Sequence, residues 1–137
     1  MERTANAVWR KGLKDGSGNF STGSGVLRDI SYTFATRFEN APGTNPEELV
    51  AAAHAACFSM ALSAQLGEQG ITPDSVETTC TITFENLTLT RSKLDVVVHA
   101  PGADQTKFES AASNAKSGCP ISKVLNLDIQ MNARLER

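Results

Sequence analysis

Apolar residues recur along this chain with two periods, and the switches between them mark out its elements. Val76 to Glu85 alternates strictly, with Val76, Thr78, Cys80, Ile82 and Phe84 on one face and Glu77, Thr79, Thr81, Thr83 and Glu85 on the other. Leu94, Val96 and Val98 continue this period as the inner row of a following strand. Upstream, Ala5 to Arg10, Phe20 to Leu27 and Ser31 to Phe38 read as three strands. They are separated by the turn-rich Lys11–Asn19 stretch and closed by the loop Asn40–Thr44.

A helical period takes over at Asn45-Pro46-Glu47-Glu48, where Asn45 suits the cap, Pro46 the first helical position and Glu48 the capping-box position. The helix, reaching to about Leu66, is apolar nearly all round between Leu49 and Leu62. Such a helix is expected to be buried on most sides, and a chain this short needs a second subunit to supply part of the cover. Asp104 to Ser117 predicts a second, amphipathic helix with Phe108, Ala111, Ala112 and Ala115 inward. Gly118-Cys119-Pro120 ends it and opens a short helical turn, and Leu127 to Leu135 forms a last strand. Strands, helix, strands, helix, strand is an α+β order.

Length and charge narrow the function. A chain of 137 residues fits one domain, residues 1–137, and the absence of repeats or linkers agrees. A net charge of −2 and a pI near 5.7 give no attraction to phosphate, so nucleic acid is not an expected partner. The opening residues Met1–Asn6 lack the apolar core of a secretory signal. The Leu49–Leu62 stretch, interrupted by His54 and Ser59, is too short to span a bilayer. A cytoplasmic protein without membrane attachment is expected. Asp15-Gly16-Ser17-Gly18-Asn19 holds a Gly-x-Gly but leads into a strand, so it lacks the helix N-terminus that a nucleotide phosphate needs.

The cysteines are Cys57, Cys80 and Cys119, an odd number at wide spacings that does not suggest a structural disulfide framework. Cys80, on the inner face of a strand, reads as core packing. Cys57 sits in the middle of the apolar helix, where a thiol is inert unless a cation stabilises its thiolate. Cys119 has the better local electrostatics, since free N–H groups at the start of the helical turn favour a thiolate. Local physics therefore makes Cys119 the more nucleophilic of the two. His54 lies one turn before Cys57, either as an imidazole partner to the thiol or as a hydrogen-bonded core or interface histidine, and the second reading is favoured. The scattered cysteines and histidines match no usual zinc spacing.

The run Asn45-Pro46-Glu47-Glu48-Leu49-Val50-Ala51-Ala52-Ala53-His54-Ala55-Ala56-Cys57-Phe58-Ser59-Met60-Ala61-Leu62, taken with Gly118-Cys119-Pro120-Ile121-Ser122-Lys123-Val124-Leu125, closely resembles the OsmC/Ohr family of bacterial hydroperoxide reductases. Thr36-Arg37-Phe38-Glu39 is similar to the OsmC branch in particular. The resemblance implies an intertwined homodimer with antiparallel sheets around long central helices. It implies reduction of organic hydroperoxides, and of hydrogen peroxide less well. By motif position, Cys57 corresponds to the peroxidatic cysteine and Cys119 to the resolving one. Arg37 matches the arginine that stabilises the thiolate, and Glu47 the carboxylate that orients it. An external thiol or dithiol would reduce the resulting disulfide, and the chemistry needs no metal, flavin or haem.

Glu47 precedes Cys57 by ten residues, about 15 Å along a continuous helix, so one arginine head does not bridge both on a straight helix. Arg37 and Glu47 are therefore expected to serve the Cys57 of the partner chain. Phe38, Phe58 and Met60 are expected to wall an alkyl tail. A non-catalytic binding domain of the same fold and a thiol redox sensor are the alternatives.

Overall fold

The computed structural model describes all 137 residues, which form two compact units, Met1–Glu48 and Leu49–Arg137. The first unit opens with an antiparallel meander of β1 (Ala5–Arg10), β2 (Ser17–Thr22) and β3 (Ile30–Tyr32). Gly18 is buried in it because a β-carbon there would stand 2.6 Å from the Trp9 ring and 2.9 Å from that of Tyr32. The glycine lets two aromatic rings pack over the sheet, with centroids 5.4 Å apart. This accounts sterically for half of the Gly-x-Gly.

The third predicted strand is much shorter than the alternation suggests. After Tyr32 the chain turns into a five-residue helix, α1 (Phe34–Phe38). The cause is a capping box: Thr36 N–H donates to Thr33 Oγ1 at 3.2 Å, and Thr33 N–H donates to Thr36 Oγ1 at 2.9 Å. Two threonines of high strand propensity thus satisfy each other's backbone as a helix start. Arg37 is therefore a helical residue. The strand predicted over Phe20–Leu27 likewise lies earlier, at Ser17–Thr22, and gives way to a turn at Gly23.

The long helix α2 (Pro46–Glu68) starts at the end of the first unit and runs through the second. Glu48 N–H donates to the Asn45 side chain at 2.8 Å, as the sequence predicts. Its 23 residues are long and apolar enough to cross a membrane by composition, beyond the shorter span read from sequence. Here one stripe of it packs into the core of the second unit. Only His54, Phe58, Leu62 and Leu66 are buried, all on one stripe of i, i+4 spacing. The other faces are less covered than an all-round apolar helix predicts. Ala52, Ala53, Ala56 and Met60 are exposed, Met60 at 77%.

The second unit continues with β4 (Ser75–Glu85), β5 (Thr88–His99), α3 (Gln105–Gly118), α4 (Pro120–Val124) and β6 (Asp128–Glu136). β4 and β5 pair antiparallel, but β6 joins β5 parallel, so this sheet is mixed and corrects the expectation of purely antiparallel sheets. Parallel pairing needs a crossover, which α3 and α4 supply between the two strands. The core gathers Phe58, Leu62 and Leu66 of α2, Leu94, Val96 and Val98 of β5, and the predicted Phe108, Ala111, Ala112 and Ala115 of α3.

Candidate active site

In the second unit, two free thiols meet. Cys119 Sγ lies 3.0 Å from Cys57 Sγ, within hydrogen-bonding distance. Cys57 is carried by the middle of α2 and is half-buried. Cys119 is fully buried at the corner where α3 ends and α4 begins, serving as C-cap of one and N-cap of the other. Pro120 fixes this break: it is welcome at the first position of α4 and cannot continue α3.

The electrostatics of the pair are asymmetric. Burial pushes the Cys57 thiol up, and its contact with Cys119 pushes it further. Burial also works to raise Cys119, but the neighbouring Cys57 thiol, the N–H and hydroxyl of Ser122 and the Ile121 N–H outweigh it and bring Cys119 below the ordinary thiol range. Cys119 makes no regular side-chain N-cap bond, so these N–H groups act as nearby dipoles at the start of α4. In this geometry the Cys119 S–H donates to Cys57 Sγ, whereas the lowered pKa of Cys119 and the raised pKa of Cys57 favour moving that proton toward Cys57. This agrees with the local electrostatics read from the sequence.

His54 does not bond to Cys57. Its ring is wholly buried, with Nδ1 2.6 Å from Ser92 Oγ on β5 and Nε2 2.8 Å from Ser122 Oγ on α4. Burial lowers its pKa and keeps the imidazole neutral, so one nitrogen donates and the other accepts. Ser92 Oγ also contacts Cys80 Sγ at 3.1 Å, and burial raises that thiol's pKa. The histidine is thus the hydrogen-bonded core residue that the sequence favoured. Ser92 and Ser122 were not singled out there. Ser92 falls in the row of Leu94, Val96 and Val98, and a polar residue in an apolar row signals a buried partner.

In the first unit, Arg37 and Glu47 come together. Arg37 Nε and Nη2 both donate to Glu47 Oε1, at 3.1 and 2.8 Å. The guanidinium also lies over the Phe38 ring, 5.3 Å from its centroid. A pocket of about 200 Å³ opens beside it, lined by Trp9, Leu13, Tyr32, Thr33, Phe34, Arg37 and Phe38. Of the apolar wall expected from sequence, Phe38 lines this pocket, whereas Phe58 is fully buried in the core of the second unit and cannot meet a ligand. Met60 lies on the exposed face of α2.

Residues 38–134 match the family model described as OsmC-like protein. The chain is 44% identical over 140 residues to the Peroxiredoxin OsmC of Escherichia coli, covering 99% of this chain and 98% of that protein. It is 32% identical over 123 residues to the Organic hydroperoxide resistance protein OhrB of Bacillus subtilis, covering 86% and 90% of the two chains. In fold it resembles the crystal structure of an OsmC-like protein from Mycoplasma pneumoniae, with a TM-score of 0.77, 18% identity, and 100% and 99% coverage.

Proposed function

This chain belongs to the OsmC-like family, and from that premise we propose that it is a cysteine-based peroxidase that reduces organic hydroperoxides to alcohols. The observation that carries this reading is the 3.0 Å contact between the free sulfurs of Cys57 and Cys119. Relatives named for peroxiredoxin activity and for organic hydroperoxide resistance support it.

The Cys57 thiolate attacks one peroxide oxygen, the O–O bond breaks, and the departing alkoxide takes a proton to become the alcohol. Cys57 is left as a sulfenic acid. The Cys119 thiol then attacks that sulfur: an S–S bond forms, the S–O bond breaks, and oxygen leaves as water with the thiol proton. Two equivalents of an external thiol, or one dithiol, return the disulfide to the two thiols.

Burial holds the Cys57 thiol up, so the first step needs a cation that this sulfur's own hydrogen bonds do not provide. Arg37, oriented by Glu47, is the proposed source, acting on the Cys57 of a partner chain. It also donates to the leaving oxygen as charge develops there. We propose a homodimer accordingly. The exposed apolar face of α2 supports it, since Ala52, Ala53, Ala56 and Met60 otherwise stand in water. The likeness to the Escherichia coli relative extends over 99% of the chain, and so over both compact units, which supports a single domain over residues 1–137. A cytoplasmic location completes the reading.

Intact-mass analysis after one equivalent of cumene hydroperoxide tests the cycle. Loss of two hydrogens, mapped to a Cys57–Cys119 bond, is the expected result, followed by turnover once a dithiol is added. An unchanged mass overturns the enzyme reading and leaves a binding domain.

A further inference from the structure

Cys57 and Cys119 are not the only residues that join α2 to the start of α4. His54 stands one turn before Cys57, and Ser122 one turn after Cys119, so the two pairs face each other at the same helical spacing. One pair is the sulfur contact at 3.0 Å, and the other is the His54 Nε2–Ser122 Oγ hydrogen bond at 2.8 Å. We propose that His54 is a positioning residue for disulfide formation: its bond to Ser122 holds the Cys119 corner against α2 while Cys57 changes oxidation state. This rests on the peroxidase reading above.

The need for such a tie follows from what else fixes the corner. Cys119 N–H donates to Ala115 O at 3.0 Å, and Lys123 N–H donates to Cys119 O at 3.1 Å; both bonds stay within the α3–α4 segment. The other polar links from α2 to residues 119–124 are made by the Cys57 sulfur itself, to Cys119 and to the Ile121 N–H. Those links change once oxygen is bonded to that sulfur. The His54–Ser122 bond contains no sulfur and survives the change.

His54 is itself anchored. Ser92 on β5 holds the opposite ring nitrogen at 2.6 Å, and Cys80 on β4 contacts Ser92 Oγ at 3.1 Å. The ring is wholly buried, and no buried side-chain nitrogen or oxygen lacks a partner. A clamp anchored to two strands positions more tightly than one built on a loop. Slackening it separates the two sulfurs, and separation lowers the effective concentration of Cys119 at the sulfenic acid. A sulfenic acid that waits meets a second peroxide, which adds another oxygen to give the sulfinic acid and an alcohol.

The test uses Ser122→Ala, which removes the hydroxyl, and His54→Leu, which removes the ring and fills its place. Each is treated with excess cumene hydroperoxide and followed by quenched intact-mass analysis. Disulfide formation is expected to slow about tenfold or more, with Cys57 sulfinic acid appearing in its place. Formation of the sulfenic acid, read by dimedone trapping in a Cys119→Ser background, is expected to change less than about twofold when Ser122→Ala is added. Ser122→Thr, which keeps the hydroxyl, restores the disulfide. Ser59→Ala removes a comparable bond from the same helix, the 2.7 Å bond to Thr78 on β4, and is expected to leave the partition as in the native protein. His54→Leu leaves the Ser122 hydroxyl beside Cys119 and so decides the matter: native-like disulfide formation in it, or an equal loss in Ser59→Ala, overturns the proposal. Failure of the native protein to form the disulfide overturns the peroxidase reading instead.

Discussion

Both Nε and Nη2 of Arg37 donate to a single oxygen of Glu47, Oε1, so the carboxylate fixes the guanidinium by one edge. A lysine cannot reproduce this, because an ammonium is a point charge without the planar fork. Glu47→Gln is expected to lower kcat/KM for cumene hydroperoxide by about tenfold to a hundredfold, and Arg37→Lys by at least as much. Steady-state peroxidase assays check both. A rate within twofold of native in Glu47→Gln would remove the orienting role.

The exposed face of α2 carries the homodimer proposal. Met60→Glu places a charge where the partner helix is expected and should shift the protein to monomers in sedimentation or light scattering. Activity is expected to fall with it if Arg37 acts in trans. Mixing Arg37→Ala chains with Cys57→Ser chains gives the complementary measurement. Both homodimers are expected to be inactive and the heterodimer active, whereas an inactive heterodimer would place each site within one chain.

Beside Arg37, a pocket with Trp9, Phe34, Phe38 and Leu13 in its walls offers apolar surface to a substrate tail. Leu13 is 63% exposed, so its replacement disturbs no core. Leu13→Glu is expected to lower kcat/KM for cumene hydroperoxide about tenfold while changing that for hydrogen peroxide less than about twofold. Equal losses with both peroxides would dissociate this pocket from substrate choice.

His54 links stability to pH with a definite sign. Burial lowers its folded pKa, so between that value and the unfolded value near 6.5 the unfolded chain binds more protons. Its contribution is therefore complete above about pH 6.5 and is lost as pH falls through that window. Melting temperatures across the window should drop more steeply for the native protein than for His54→Gln, with the other titrating groups common to both. Parallel curves would argue that the ring protonates freely in the fold.

Local pattern carried far into this structure. The cap at Asn45, the length of α2, the inner rows of β4 and β5 and the buried face of α3 are all set by residues within a few turns of one another. The Arg37 segment misled because its threonines favour a strand by propensity but cap a helix by their hydroxyls. Only that mutual bonding decides between the two. The parallel placement of β6 was also illegible, since a strand's own alternation says nothing about its neighbour's direction.

The chemistry divides along the same line. The sequence by itself singled out Cys57 and Cys119 as candidates through two long motifs, and it was a family resemblance that proposed Arg37 and Glu47 beside them. Tertiary structure alone decided that His54 bonds to Ser92 and Ser122, residues 38 and 68 positions away. Serines are common and carry no periodic signature. A contact across that separation exists only once the strand, the helix and the crossover have closed on each other and shut out water.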